Sequence, residues 1–498
     1  VTYRNFPTLP AVALSALCGL ALPGWTGAAG ASLALRLSPC QLEHPLRVSV
    51  VSAECADLQV PENPQDPAGR QIKLHVARVP AISRRKRADP LFVLAGGPGM
   101  AATVFYASAA PAFERIHRDR DIILVDQRGT GQSNPLNCEL NDDSFYRATD
   151  AQIAAEAQRC LRSASANADV RWYTTSIAVK DLERVRSLFG YDRIDLYGSS
   201  YGTRVAQEYV RRFPQRARSV ILDGVVPTQL ALGADTALDA EAALQDILSR
   251  CSRDAECHKH FGDPAATYHS LRDSLQTHPA PVSLADPTTG EPTRIEFSDY
   301  QLATVLRLAS YTPDQASLLP LMLHMASDGH DFMPLAAQFL LVNRSYGDVI
   351  SYGMHNSVVC TEDVPFLDPG RIDRAKLEKT YLGTLQLDGL RTICGVWPRG
   401  PIDADFHAPL HTDVPVLLLS GSDDPVTPPA YAEQARQGFT HSLHVVLQGF
   451  GHGQLAAPCV DRVMAQFVEA GTVRGLDTSC TRNARPMPFF LSLNGPAP

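Results

Sequence analysis

Gly198-Ser199-Ser200-Tyr201-Gly202 constrains this chain more than any other stretch. It is a G-x-S-x-G pattern set between a short apolar run, residues 193–197 (RIDLY), and a segment patterned as a helix. A serine at the centre of such a turn is lifted above the edge of a sheet. Glycines two before and two after let neighbouring backbone approach it closely. Ser200 is therefore the candidate nucleophile, and Ser199 fills the variable position. The helix that follows places Val205, Tyr209, Val210 and Phe213 on one face and ends before Pro214.

The surroundings repeat this alternation of strand and helix. Residues 91–95 (LFVLA), 121–125 (DIILV), 219–222 (SVIL) and 414–419 (VPVLLL) read as strands. They lack strict apolar–polar alternation, which suits strands buried on both faces of a parallel sheet. Ala178, Leu182, Val185 and Phe189 mark an amphipathic helix stopped by Gly190. The expectation is an α/β fold with a mostly parallel central sheet. The rhythm breaks after Asp223-Gly224 and resumes at Val414, with a mainly helical pattern between. Residues 228–400 are accordingly predicted to be an inserted helical lid, dividing a core of 32–227 and 401–498. The Met322, His324, Met325, His330 and Met333 cluster is assigned to lid packing rather than to a metal, and no cofactor is expected.

A serine hydroxyl needs a base, and the base needs an acid to orient it. Both follow in the order Ser, Asp, His. Residues 420–428 (SGSDDPVTP) come directly after the VPVLLL strand, and Gly451-His452-Gly453 follows the strand-like residues 444–447. His452 is the candidate base and Asp424 the candidate acid. Asp424 is preferred because it directly precedes Pro425-Val426-Thr427-Pro428, with the adjacent Asp423 as the alternative. Ala95-Gly96-Gly97-Pro98-Gly99, after the LFVLA strand, can present a backbone N–H to a developing oxyanion. Pro98 has no N–H, so Gly97 together with Tyr201 is the expected donor pair. A dinucleotide-binding turn is disfavoured because the spacing is not GxGxxG.

Residues 1–31 read as a secretory signal: Arg4, then an apolar stretch at 9–22, then Ala29-Gly30-Ala31 as a small-x-small cleavage site. A membrane-anchoring helix and a lipid anchor at Cys18 are the alternatives. Removing the segment takes Cys18 from the eleven cysteines and leaves ten. An even number in an exported chain implies disulfides. Counting leaves the connectivity open, but Cys40/Cys55, Cys138/Cys160, Cys251/Cys257, Cys360/Cys394 and Cys459/Cys480 are neighbours in sequence. A net charge of −8 argues against a nucleic-acid binder. The mature sequence contains no uninterrupted apolar run of the ~18 residues that a membrane span needs.

Together these motifs resemble the α/β-hydrolase fold, and within it the proline iminopeptidases and secreted tripeptidyl aminopeptidases of the bacterial serine exopeptidase family. The matching stretches are Gly96–Gly99 (GGPG), 125–133 (VDQRGTGQS), 197–203 (YGSSYGT), 424–429 (DPVTPP) and 451–453 (GHG). Ala95 departs from the pattern, since many relatives carry His there. The resemblance implies Ser200, Asp424 and His452 as a triad, and Gly97 and Tyr201 as oxyanion donors. It implies an exported enzyme, secreted or periplasmic, acting on a peptide with a free N-terminus and releasing tripeptides or single residues such as proline. Such an enzyme must bind an ammonium group, and Glu362 and Asp363 are the expected acids. A carboxylesterase acting on small esters would use the same triad.

Overall fold

The computed structural model describes residues 35–138, 148–347 and 349–496; the expected signal segment and Cys18 lie outside them. Nine strands form one sheet. They are β1 (Ser38–Glu43), β2 (Val50–Pro61), β3 (Gln71–Val79), β4 (Leu91–Leu94), β5 (Ile122–Val125), β6 (Ile194–Ser199), β7 (Ala217–Asp223), β10 (Val416–Gly421) and β11 (Ser442–Leu447). A separate hairpin is made by β8 (Ala280–Ala285) and β9 (Pro292–Phe297). The sheet order is β1-β2-β3-β5-β4-β6-β7-β10-β11. From β5 to β11 every pairing is parallel, whereas β1, β2, β3 and β5 pair antiparallel.

The absence of alternation in the parallel strands has a direct cause. Phe92, Leu94, Ile123, Val125 and Leu418 point into one apolar cluster. Their chain neighbours Leu91, Val93, Ile122, Leu124, Leu417 and Leu419 point into another. Helices cover both faces, so both sets of side chains must be apolar. Thr175–Leu188 and Tyr201–Arg212 supply Val179, Leu182, Val185, Val205 and Tyr209 to the first cluster. Ala102–His117 and Val460–Ala470 supply Tyr106, Phe113, Val463 and Phe467 to the second.

The inserted segment divides between two environments. Helices between Thr236 and Gly347 and the β8–β9 hairpin enclose their own cluster around Leu244, Ile247, Phe297, Leu306 and Leu323. Met322 is buried there, and His324 lies beside Phe261 and Asp328. Helices Tyr352–Glu362 and Leu385–Val396 instead join the main core through Met354, Val358, Cys360, Ile393 and Trp397. Near the end of the described residues, Phe489 packs in the lid cluster, whereas Ala484 packs in the second cluster of the core. Five disulfides join Cys40–Cys55, Cys138–Cys160, Cys251–Cys257, Cys360–Cys394 and Cys459–Cys480.

Candidate active site

Ser200 sits between the end of β6 and the helix Tyr201–Arg212, with φ 54° and ψ −123°. That conformation costs a non-glycine residue on the order of 1–3 kcal/mol, so the surroundings must hold it. Its N–H donates to the Asp223 carbonyl at 2.8 Å. Gly202 allows the helix start to press on β4: a Cβ there would lie 2.4 Å from the Leu94 carbonyl oxygen.

His452 Nδ1 lies 2.9 Å and 3.0 Å from the two carboxylate oxygens of Asp424. Asp424 also accepts from the N–H groups of Val426 and Thr427, each at 2.8 Å, and from the Thr427 hydroxyl at 2.8 Å. The same hydroxyl lies 3.1 Å from Nδ1. Asp423 turns away, accepting from the Ser422 hydroxyl at 2.7 Å and lying 3.4 Å from Arg250. Of the two adjacent carboxylates it is therefore Asp424 that meets the imidazole. A proton on Nδ1 facing this carboxylate leaves Nε2 as the acceptor. The His452 N–H donates to the Tyr311 carbonyl at 2.8 Å, and the Tyr311 ring meets the imidazole edge-on at 5.2 Å.

Charge balance in this group follows from burial and pairing. Burial alone would raise the Asp424 pKa, but the charge and hydrogen bonds of His452 and the two N–H donors hold it below 3.8. Burial alone would lower the His452 pKa, but Asp424, with Asp223 beyond it, raises it above 6.5.

Ser200 and His452 open into one cavity of about 480 Å³. Gly97, Phe105, Tyr197 and Leu455 of the core line it, and the inserted segment adds Tyr311, Thr312, Ile350 and Tyr352. Gly97 adopts φ +108°, a left-handed conformation that glycine tolerates. No hydrogen bond among the described residues occupies the N–H of Gly97 or of Tyr201.

Two family models match this chain. One, described as the alpha/beta hydrolase fold, covers residues 89–317 and so includes Gly97 and Ser200. The other, described as TAP-like protein, covers residues 379–480 and so includes Asp424 and His452. The serine protease Hip1 of Mycobacterium tuberculosis is 27% identical over 89% of this chain and 90% of its own length. Carboxylesterase B of the same organism is 27% identical over 86% of each. The tripeptidyl aminopeptidase of Streptomyces coelicolor is 25% identical over 87% of this chain and 84% of its own. The chain has the α/β-hydrolase fold and is a serine peptidase.

Glu362 and Asp363 of this serine peptidase are not where a solvent-borne ammonium would find them, which corrects the expectation for these two acids. Both are buried, and neither lines the cavity. Glu362 accepts from the Thr175 N–H at 2.6 Å and the Thr175 hydroxyl at 2.8 Å. Asp363 accepts from Arg204 Nη2 at 2.9 Å and the Leu232 N–H at 2.8 Å. Burial raises the Glu362 pKa to about 7, against the opposing pull of Arg204 and Thr175. The Thr175 hydroxyl also contacts the Tyr201 hydroxyl at 2.6 Å, so Glu362 through Thr175 and Asp363 through Arg204 brace the helix behind Ser200.

Two site residues of the peptidase escaped the sequence reading. Thr427 lies inside the DPVTPP stretch, where its spacing from Asp424 was the available signal. Asp223 ends β7, and its carbonyl holds the Ser200 N–H. Its carboxylate accepts from the Gln454 N–H at 2.9 Å and from the Tyr197 hydroxyl at 2.7 Å. One residue thereby ties the serine turn to the histidine loop. Burial lifts its pKa to about 6 despite these donors.

Proposed function

We propose that the protein is an exported aminopeptidase that cleaves residues from free peptide N-termini through an acyl-enzyme. The observation that carries this reading is that His452, paired with Asp424, lines the same cavity as Ser200, walled in part by the inserted segment. In the proposed reaction Ser200 Oγ attacks the scissile carbonyl as its proton passes to His452 Nε2. Asp424 stabilises the imidazolium, and the N–H groups of Gly97 and Tyr201 receive the oxyanion. The C–N bond breaks, and the shortened peptide leaves with the proton from His452. The N-terminal fragment remains as an ester on Ser200. Water, deprotonated by His452, then releases it. Walls contributed by the inserted segment favour chain ends over the middle of a folded protein. The TAP-like match and the Streptomyces relative support tripeptide release. Five disulfides support export, since such bonds persist in oxidising compartments.

A carboxylesterase is the second reading. Among the described residues, Asp223 is the only carboxylate that lines the cavity, and it is already hydrogen-bonded, while most of the lining is aromatic or aliphatic. The carboxylesterase relative points the same way. Hydrolysis of mono-, di- and tripeptide anilides with free and acetylated amines separates the two. An aminopeptidase cleaves the free-amine tripeptide and leaves the acetylated one largely intact. Equal rates on both, with faster turnover of short-chain esters, would reject it.

A further inference from the structure

A second cavity, of about 600 Å³, shares no lining residue with the catalytic one. Four separate parts of the chain build it, among them Gln448 and Gly449 directly after β11. The lid helix Thr236–Arg253 gives Asp246, Arg250 and Arg253; the loop after β10 gives Ser422 and Asp423; the C-terminal tail gives Arg482 and Arg485. Four guanidinium groups face two carboxylates, in a molecule whose net charge is −8. The excess of cations is local and runs against the composition of the whole.

The two carboxylates of the cavity offset these four cations only in part. Arg250 reaches Asp423 at only 3.4 Å, and its Nε is buried without a hydrogen bond. Its guanidinium lies 4.9 Å from the centre of the Phe489 ring. Burial first, and then the charge of Arg253, push the Arg250 pKa down from 12.5. Arg253, Arg482 and Arg485 form no ion pair among the described residues.

The tail backbone that carries the two exposed arginines is held in place by the fold. The Cys459–Cys480 disulfide anchors the chain two residues before Arg482. Arg485 Nη1 donates to the carbonyls of Arg482 and Ala484 at 2.8 Å and 2.9 Å. Pro486 lies so close to Gly449 that a Cβ there would sit 2.6 Å from its Cγ. Several guanidinium groups lining one cavity suit a tetrahedral oxyanion, which can accept bidentate bonds from more than one of them.

We propose that this cavity binds a multiply charged oxyanion of the phosphate class, and that the bound anion clamps the lid helix and the tail onto the loop that carries Asp424. Ser422 and Asp423 immediately precede Asp424. The Ser422 hydroxyl accepts from the Gly449 N–H at 2.8 Å, and the Asp423 N–H donates to the Phe450 carbonyl at 3.0 Å. Phe450 stands two residues before His452, so the clamp reaches both the acid and the base.

Calorimetric titration of the full chain with inorganic phosphate tests this, beside sulfate and chloride at matched ionic strength. Saturable binding to one site is expected for phosphate and sulfate, with a rising thermal midpoint, and none for chloride. Arg482→Gln combined with Arg485→Gln weakens phosphate binding by about tenfold or more. Asp246→Asn removes a competing acid, leaves every arginine in place and tightens binding several-fold, so it decides the matter even if the double variant does not fold. A phosphoserine peptide distinguishes a phosphate carried on a polymer, which binds more tightly than the free ion, from inorganic phosphate itself. Absence of saturation, an equal response to chloride, or unchanged affinity in Asp246→Asn would overturn the proposal.

Discussion

Thr427 shows how much of the site turns on single hydrogen atoms. Its hydroxyl donates to Asp424 at 2.8 Å and stands 3.1 Å from His452 Nδ1, so it fixes the carboxylate that fixes the base. Thr427→Val keeps the shape and deletes the donor. A hydrogen bond to a charged group contributes about 1.5–3 kcal/mol, and each 1.4 kcal/mol is about tenfold in rate. Steady-state kinetics are therefore expected to show kcat lowered by roughly tenfold or more with KM little changed. An equal rise in KM at constant kcat would instead assign Thr427 to substrate binding. The motif made this residue visible in sequence but not its role, because that depends on a histidine 25 residues later folding back over it.

At the scale of elements, the parallel strands were legible because burial on both faces leaves only apolar residues. β1, β2 and β3 were not. β2 packs Ala53 and Cys55 in one cluster but Leu58 and Val60 in the other, so its alternation changes phase and neither strand template fits it. The β8–β9 hairpin was hidden in a region that reads as helical. Glu362 and Asp363 were misread for a similar reason: their partner, Arg204, lies 159 residues from Asp363 in the chain. That pair links the helix after the nucleophile to the inserted segment, and both side chains are almost fully buried. Removing one partner of such a pair typically costs about 3–5 kcal/mol, because the other charge is left uncompensated. Denaturant unfolding of Asp363→Ala should show a loss of about that size, and Arg204→Met combined with Asp363→Leu should recover most of it. A loss below ~1 kcal/mol would mean that the pair does not hold the two elements together.

Across the whole molecule, stability and catalysis draw on protonation in opposite senses. Burial raises Asp195 to about 7, Asp223 to about 6 and Glu362 to about 7. In the unfolded chain such groups ionise near 4. Between those values these three groups bind more protons in the folded state than in the unfolded one, so their contribution to stability falls as pH rises from about 4 to 7. His452 adds to the trend, because its raised pKa makes its contribution complete below 6.5 and lost as pH rises through the folded value. Catalysis needs His452 neutral, so the acid limb of kcat/KM is expected above pH 6.5 while the thermal midpoint declines over the same range. Thermal unfolding and kcat/KM measured across pH 4–8 on one preparation check both slopes. Parallel rises in midpoint and rate would contradict this balance.

The central claim is that Ser200, activated through His452 and Asp424, is the nucleophile that carries the acyl group. Labelling the active protein with a fluorophosphonate and mapping the adduct by peptide mass spectrometry tests it most directly. The account predicts one adduct, on the peptide containing Ser200, formed in proportion to the loss of hydrolysis. Adduct formation on a different residue, or full hydrolysis after Ser200 is completely labelled, would contradict it.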